Sequence, residues 1–221
     1  NLKYLSVKNP ASYLRVVNCL NIEELAINDI DFEEGRMSGA INMFLKKCTK
    51  LKKFTYTGKF PLLDRQMIKF KLESFNLYLI YENRGDGRDA ALEFLELQKD
   101  FFKKLSLRGF ITRDYIQLAV NNMSLDELTV DMNKIFAEFK DLKINSSIKR
   151  LEITKFPGVV DVISKFIAHC PKVESLKILQ TIPASKFSEI MLNVSQSLGS
   201  LKHLRLSSIS NMPLPNMVFN D

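Results

Sequence analysis

His169-Cys170-Pro171-Lys172-Val173-Glu174-Ser175-Leu176-Lys177-Ile178 holds the pattern on which the reading of this chain turns. Val173, Leu176 and Ile178 occupy the first, fourth and sixth places of an apolar-x-x-apolar-x-apolar hexad. Successive side chains of an extended strand point to opposite faces, so Leu176 and Ile178 share one face while Ser175 and Lys177 share the other. One hexad says little, because any half-buried strand alternates in this way. Upstream, however, the pattern recurs at Leu2/Leu5/Val7, Ile22/Leu25/Ile27, Leu51/Phe54/Tyr56 and Leu72/Phe75/Leu77. It continues at Phe102/Leu105/Leu107, Leu125/Leu128/Val130 and Ile148/Leu151/Ile153, and returns downstream at Leu201/Leu204/Leu206. Nine copies result, starting 20, 29, 21, 30, 23, 23, 25 and 28 residues apart.

A mean period of about 25 residues falls in the 20–29 window of leucine-rich repeats. A second signal is independent of the first. Cys19, Cys48 and Cys170 each lie three residues before the next copy, and Asn122 and Asn145 hold the same phase. A small, weakly polar side chain there is expected to turn inward and bond to backbone groups. Between the strands, three- and four-residue apolar spacing predicts helices over 37–48, 89–98, 112–121, 159–168 and 185–198. Thr112 and Ser185 stand at helix starts. Strand followed by helix, repeated, predicts a parallel sheet with helices on one side. The expected fold is therefore α/β: a leucine-rich-repeat solenoid of about nine irregular repeats, with a parallel concave sheet and helices on the convex side. No long linker interrupts it, so residues 1–221 are read as one domain, and the start inside a repeat reads as a piece of something longer.

Composition narrows the function classes. Apolar residues make up 46% and charged residues 26%, which fits a globular chain. No apolar run approaches the roughly 18 residues of a membrane span. Three widely spaced Cys do not make a disulfide scaffold, so an intracellular, cytoplasmic or nuclear protein is expected. The net charge of +7 reads as Lys and Arg spread over solvated faces.

The stretch His169–Ile178 closely resembles the cysteine-containing leucine-rich repeat, and residues 18–25 and 47–54 are weaker copies. This subtype is typical of F-box leucine-rich-repeat proteins. The resemblance implies a substrate-recognition domain of an F-box-type ubiquitin ligase. Its repeats would capture the protein to be ubiquitylated, and an F-box outside this chain would dock on a Skp-type adaptor. The alternative is a stand-alone scaffold or effector that binds and blocks a partner.

If the hexad apolar residues face the core, the residues between them face the concave surface, which is where solenoids usually bind. That register lines a groove with Tyr4, Ser6, Lys8, Glu24, Asn28, Lys53, Thr55, Thr57, Asn76 and Tyr78. It continues through Lys104, Ser106, Arg108, Glu127, Thr129, Asp131, Arg150, Glu152, Thr154, Lys177, His203 and Arg205. Mixed charge with Ser, Thr and Asn suits a protein partner, whereas nucleic-acid binders cluster basic residues with stacking aromatics. Tyr78, Lys104, Arg108, Arg150, Lys177 and Arg205 are the expected partner contacts, since Tyr and Arg are enriched at interface hot spots.

Other signals lead nowhere so definite. His169-Cys170 offers two potential ligands where zinc needs about four, so neither metal nor cofactor is expected. Two His, at 169 and 203, give no catalytic constellation, and no enzyme is expected. Gly85-Asp86-Gly87 lacks phosphate-loop spacing, and Arg84-Gly85-Asp86 reads as a solvated turn. Lys46 and Lys47 in the cluster 46–53 close a helix, where positive charge suits the dipole. Glycosylation sequons begin at Asn122, Asn145 and Asn193, but inward-facing amides at the first two would refuse a glycan.

Overall fold

The computed structural model describes residues 2–8, 21–29, 36–80, 89–132, 141–154, 160–182, 184–209 and 217–218. The chain divides into two compact units, residues 1–110 and 111–221. Cys19, the Glu33-Glu34 pair, Arg84-Gly85-Asp86 and Met212–Pro215 lie outside the described residues.

The described part of the first unit holds β1 (Tyr4–Lys8), β2 (Glu24–Asp29), β3 (Lys53–Gly58), β4 (Ser74–Leu79) and β5 (Lys104–Gly109). They pair in sequence order, all parallel and without a register shift. Helix α1 (Arg36–Lys47) joins β2 to β3, and α2 (Ala90–Gln98) joins β4 to β5. Only a 3-10 turn at Arg65–Met67 lies between β3 and β4. The second unit holds α3 (Arg113–Asn122), β6 (Glu127–Asp131), β7 (Arg150–Thr154), α4 (Val160–Ala168), β8 (Ser175–Ile182), α5 (Ala184–Ser197) and β9 (His203–Ile209). Strands β6 to β9 are parallel and sequential, and the short β10 (Met217–Val218) runs antiparallel to β9. Every hexad thus carries a strand, and the predicted helices form to within a residue or two.

Local chemistry explains the helix ends. The Asp89 carboxylate accepts from the Ala91 and Leu92 amides at 3.1 and 3.2 Å and caps α2. Lys46 and Lys47 occupy the last turn of α1, as the dipole favours. Thr112 precedes α3 but makes no side-chain cap bond, and Asp114 supplies negative charge to that first turn instead.

The hexads build the core. In the seven copies from Ile22 to Ile178, all three apolar side chains are at most 2% exposed. In the first unit they meet an aromatic cluster. Phe75 lies 5.4 Å from Phe54, 5.9 Å from Phe60, 5.2 Å from Phe94 and 6.0 Å from Phe102 between ring centroids. Phe94 belongs to α2, so that helix covers the apolar face of β3 and β4. The terminal copies differ. Leu2, expected inside, is 51% exposed, and Leu5 and Val7 are only half-buried, because β1 has a strand neighbour on one side only among the described residues.

The inward phase is real at three of its described positions. Cys48 is buried and its thiol donates to the Phe44 carbonyl at 3.4 Å. Cys170 is fully buried, and burial pushes its thiol up to about 12, leaving no thiolate at neutral pH. Asn145 does more than either. Its Nδ2 donates to the Val120 and Met123 carbonyls, both at 2.9 Å, and so ties down the end of α3. Its Oδ1 accepts from the Ser147 amide at 3.0 Å and the Ser147 hydroxyl at 2.6 Å. Asn145→Ala should therefore cost about 2–3 kcal/mol, since it strands several buried partners at once. Urea titration followed by circular dichroism would check this.

Asn122 corrects the expectation. It is exposed at the last residue of α3, and the next residue, Met123, turns inward at 4% exposure. The helix runs one residue further than predicted, which carries Asn122 round to solvent. Burial therefore argues against a glycan at Asn145 but not at Asn122. In the coil before Phe102 the inward role passes to Gln98. Its Nε2 donates to the Phe70 carbonyl at 3.3 Å, and its Oε1 accepts from the Leu72 amide at 3.0 Å.

Register is pinned at the starts of β2 to β5 and β7 to β9. The Glu23 and Glu24 amides both donate to the Lys3 carbonyl, at 2.8 and 3.0 Å. The Lys52 and Lys53 amides donate in the same way to the Glu23 carbonyl, and the Glu73 and Ser74 amides to that of Lys52. The motif recurs on the carbonyls of Glu73, Asp126, Lys149 and Glu174. Those carbonyls belong to the residue after the first apolar position of each hexad. Along the nine copies that residue is Lys3, Glu23, Lys52, Glu73, Lys103, Asp126, Lys149, Glu174 and Lys202, alternating in sign without exception. Within the units, neighbours pair: Lys3 and Lys52 lie 3.1 and 3.7 Å from the Glu23 carboxylate, and Lys202 lies 3.8 Å from that of Glu174.

Candidate functional site

The strand side chains opposite the apolar core form the candidate binding face. In the first unit, strict register lays them in rows. Thr55, Asn76 and Ser106 align across β3, β4 and β5, and Thr57, Tyr78 and Arg108 form the next row. These six side chains line an open hollow of about 370 Å³. The Asn76 amide donates to the Thr55 hydroxyl at 3.3 Å. Tyr78 is 38% exposed and Arg108 is exposed beside it. The floor is therefore hydroxyls and an amide, with one aromatic ring and one guanidinium on the same row. Lys104 sits on the same face of β5, two rows away from Arg108 and outside the hollow.

The second unit presents a smaller hollow of about 70 Å³, lined by Glu127, Thr129, Arg150, Glu152, Ser175 and Lys177 together with Leu128 and Leu151. Charges here pair sideways. Arg150 bridges to Glu127, and Lys177 reaches to 3.8 Å from Glu152. Arg205 is exposed next to Lys177 in register on β9. Exposed pairs of this kind contribute about 0–1 kcal/mol each, so they shape the face more than they stabilise the fold.

The structure thus brings Tyr78 and Arg108 into one hollow, and Arg150 and Lys177 into another. Two further expected groove residues are not available. Asp131 and Thr154 are buried, at 2% and 9% exposure, and face each other across β6 and β7. The Thr154 hydroxyl donates to the Asp131 carboxylate, so these short side chains satisfy each other rather than standing into solvent. The hydroxyl and amide floor residues were foreseen by strand parity, but their grouping depends on register, which no single strand reveals.

Among the described residues, no three His, Cys, Asp or Glu side chains converge to hold a metal. His169 is half-buried, burial lowers its pKa, and its carbonyl accepts the Asn145 amide at 2.7 Å. The phenol of Tyr56 is held well above its usual range by burial and by the Asp29 carboxylate, to which it donates at 3.2 Å. That pair lies in the core rather than on the open face. No helix among the described residues is long and apolar enough to cross a membrane.

No family model, curated protein or solved structure matches this chain.

Proposed function

We propose that the chain is a leucine-rich-repeat protein-interaction module that holds a protein partner on the open face of its parallel strands. The observation that carries this reading is the hollow of about 370 Å³ in which Tyr78 and Arg108 stand over a floor of Thr55, Thr57, Asn76 and Ser106. An aromatic ring and a guanidinium on a rigid sheet, ringed by adaptable hydrogen-bonding groups, is the composition that anchors protein partners. Helix α2, packed on the opposite side, leaves this face clear. Lys104 adds a polar contact on the first unit, and Arg150, Lys177 and Arg205 offer polar contacts on the second.

The finer reading rests on the likeness of the Cys170 coil to cysteine-containing repeats. On it, the module is the substrate receptor of an F-box-type ubiquitin ligase within a solenoid of about nine repeats. It binds non-covalently, needs no cofactor, and leaves the chemistry to other subunits.

Affinity capture with the intact protein, compared with a Tyr78→Ala plus Arg108→Glu variant, tests both levels. A captured partner should fall by at least about tenfold in the variant, the usual loss at a hot spot. A Skp-type adaptor should be co-captured and unaffected. A partner set unchanged by the variant sinks the assignment of the face. A partner lost by the variant with no adaptor present points to a scaffold or effector that blocks its target without any ligase.

A further inference from the structure

The two hollows on the open face differ in charge. In the second unit Glu127 and Glu152 stand against Arg150 and Lys177, so that hollow is balanced. In the first unit Arg108 is the one charged side chain among the described residues that line the hollow, and the rest of the polar lining is hydroxyls and one amide. All of these groups can donate a hydrogen bond. The Thr55 hydroxyl already accepts from the Asn76 amide at 3.3 Å, which leaves its own O–H to donate elsewhere. A concave set of donors around one cation, with no carboxylate among them, is complementary to a single negative charge. A guanidinium carries five N–H donors in a fixed fork, so a neighbour on the sheet still leaves it donors for the paired oxygens of a ligand.

Shape adds a second constraint. Parallel register places Ser6, Ala26, Thr55, Asn76 and Ser106 in one row across β1 to β5. Every member is short and uncharged. The flanking rows carry longer side chains, Lys53 and Lys104 on one side and Tyr78 and Arg108 on the other. The middle row is therefore the floor of a trough that crosses the strands. Four strand spacings of about 4.8 Å make it about 19 Å long, the span of about six extended residues. The matching row of the second unit, Thr129, Glu152, Lys177 and Arg205, carries charges along its length and forms no such floor.

Resting on the reading of this face as a protein-binding surface, we infer that the trough takes an extended segment of the partner with an Asp or Glu side chain, whose carboxylate Arg108 holds beside the Tyr78 ring. The segment crosses the strands, and the hydroxyls and amide of the floor meet its main chain. One guanidinium selects one carboxylate. A phosphorylated side chain brings a charge of about −1.5 to −2 and is met elsewhere by clusters of Arg, which this hollow lacks among its described residues.

The test uses the full chain and three libraries of short peptides that differ only in a fixed central residue: Glu, Gln or phosphoserine. Flanking positions are equal mixtures of uncharged residues, and peptide retained on the immobilised chain is the readout. The Glu library should bind about tenfold better than the Gln library, the order expected for one charge-assisted hydrogen-bonded pair. Arg108→Gln should abolish that preference, Arg108→Lys should keep part of it, and Tyr78→Ala should weaken binding of the Glu library. Arg108 is exposed, so these variants keep the fold, and circular dichroism verifies that. Equal binding of the Glu and Gln libraries, both weakened by Tyr78→Ala, would overturn the inference and leave the face as a binding surface. A Glu preference that survives Arg108→Gln would overturn it too, as would stronger binding of the phosphoserine library. Absence of any binding that Tyr78→Ala weakens would overturn both the inference and the reading of the face on which it rests.

Discussion

Phe75→Ala should lower the stability of the first unit by about 3–5 kcal/mol, the usual cost of emptying a buried aromatic site. The ring is fully buried near the start of β4 and touches four others, those of Phe54, Phe60, Phe94 and Phe102. Those partners come from β3, β4's two flanking connections and α2, so no neighbour can relax inward without loosening another contact. Edge-to-face pairs such as Phe75–Phe94, at 69° and 5.2 Å, add about 0.5–1.5 kcal/mol beyond the area they bury. Phe75→Leu keeps most of the volume and should cost less than half as much. Urea unfolding of the three proteins by circular dichroism gives the ranking. Equal midpoints for wild type and Phe75→Ala would show that the cluster is not a cooperative core.

Gly109→Ala is the second large effect, expected at about 3 kcal/mol or more from combined strain and clash. Gly109 has φ +84°, in the left-handed region that L side chains rarely adopt. A Cβ built there would stand 2.0 Å from the Leu79 carbonyl oxygen, which is backbone and cannot swing aside. That oxygen also accepts the Phe110 amide at 2.9 Å, so moving it would break the end of the β4–β5 ladder. Gly58, at φ +140° with Asp29 O 2.3 Å from its virtual Cβ, marks the same place on β3. Gly39 is the internal control. It lies inside α1 with nothing within 4 Å of a Cβ, so Gly39→Ala should stabilise by about 0.5–1 kcal/mol. Thermal melts of both variants would separate the cases. A Gly109→Ala protein as stable as wild type would mean that the strand end shifts freely.

Much of this architecture was legible because one spacing encodes it. Leu176 and Ile178 announce a strand by alternation, and the recurrence of their hexad announces parallel neighbours with helices between. No helix is predicted between Leu51 and Leu72, and the connection there forms only a 3-10 turn. Helix ends were legible less sharply. At α3 one extra residue was enough to send Asn122 outward and bring Met123 in. Parity placed Tyr78 and Arg108 on the open face, but only unshifted pairing of β4 with β5 makes them neighbours. Parity failed at Asp131 and Thr154, where short polar side chains found each other first. The sign alternation from Lys3 to Lys202 lay in plain view, yet it emerges only once the copies are aligned. Each residue alone is an ordinary surface charge.

The doubly accepting carbonyl that precedes β2 to β5 and β7 to β9 has a consequence for how such a chain can change. It clamps the strand origin to the coil before it, so the 20 to 30 residues between successive hexads can vary in length without sliding one strand against the next. Insertions and deletions are thereby absorbed on the helical side, and the spatial arrangement of the open-face side chains is insulated from them. The make-up of the open face can then drift by point substitution while connection length drifts independently, two freedoms that most compact domains cannot separate.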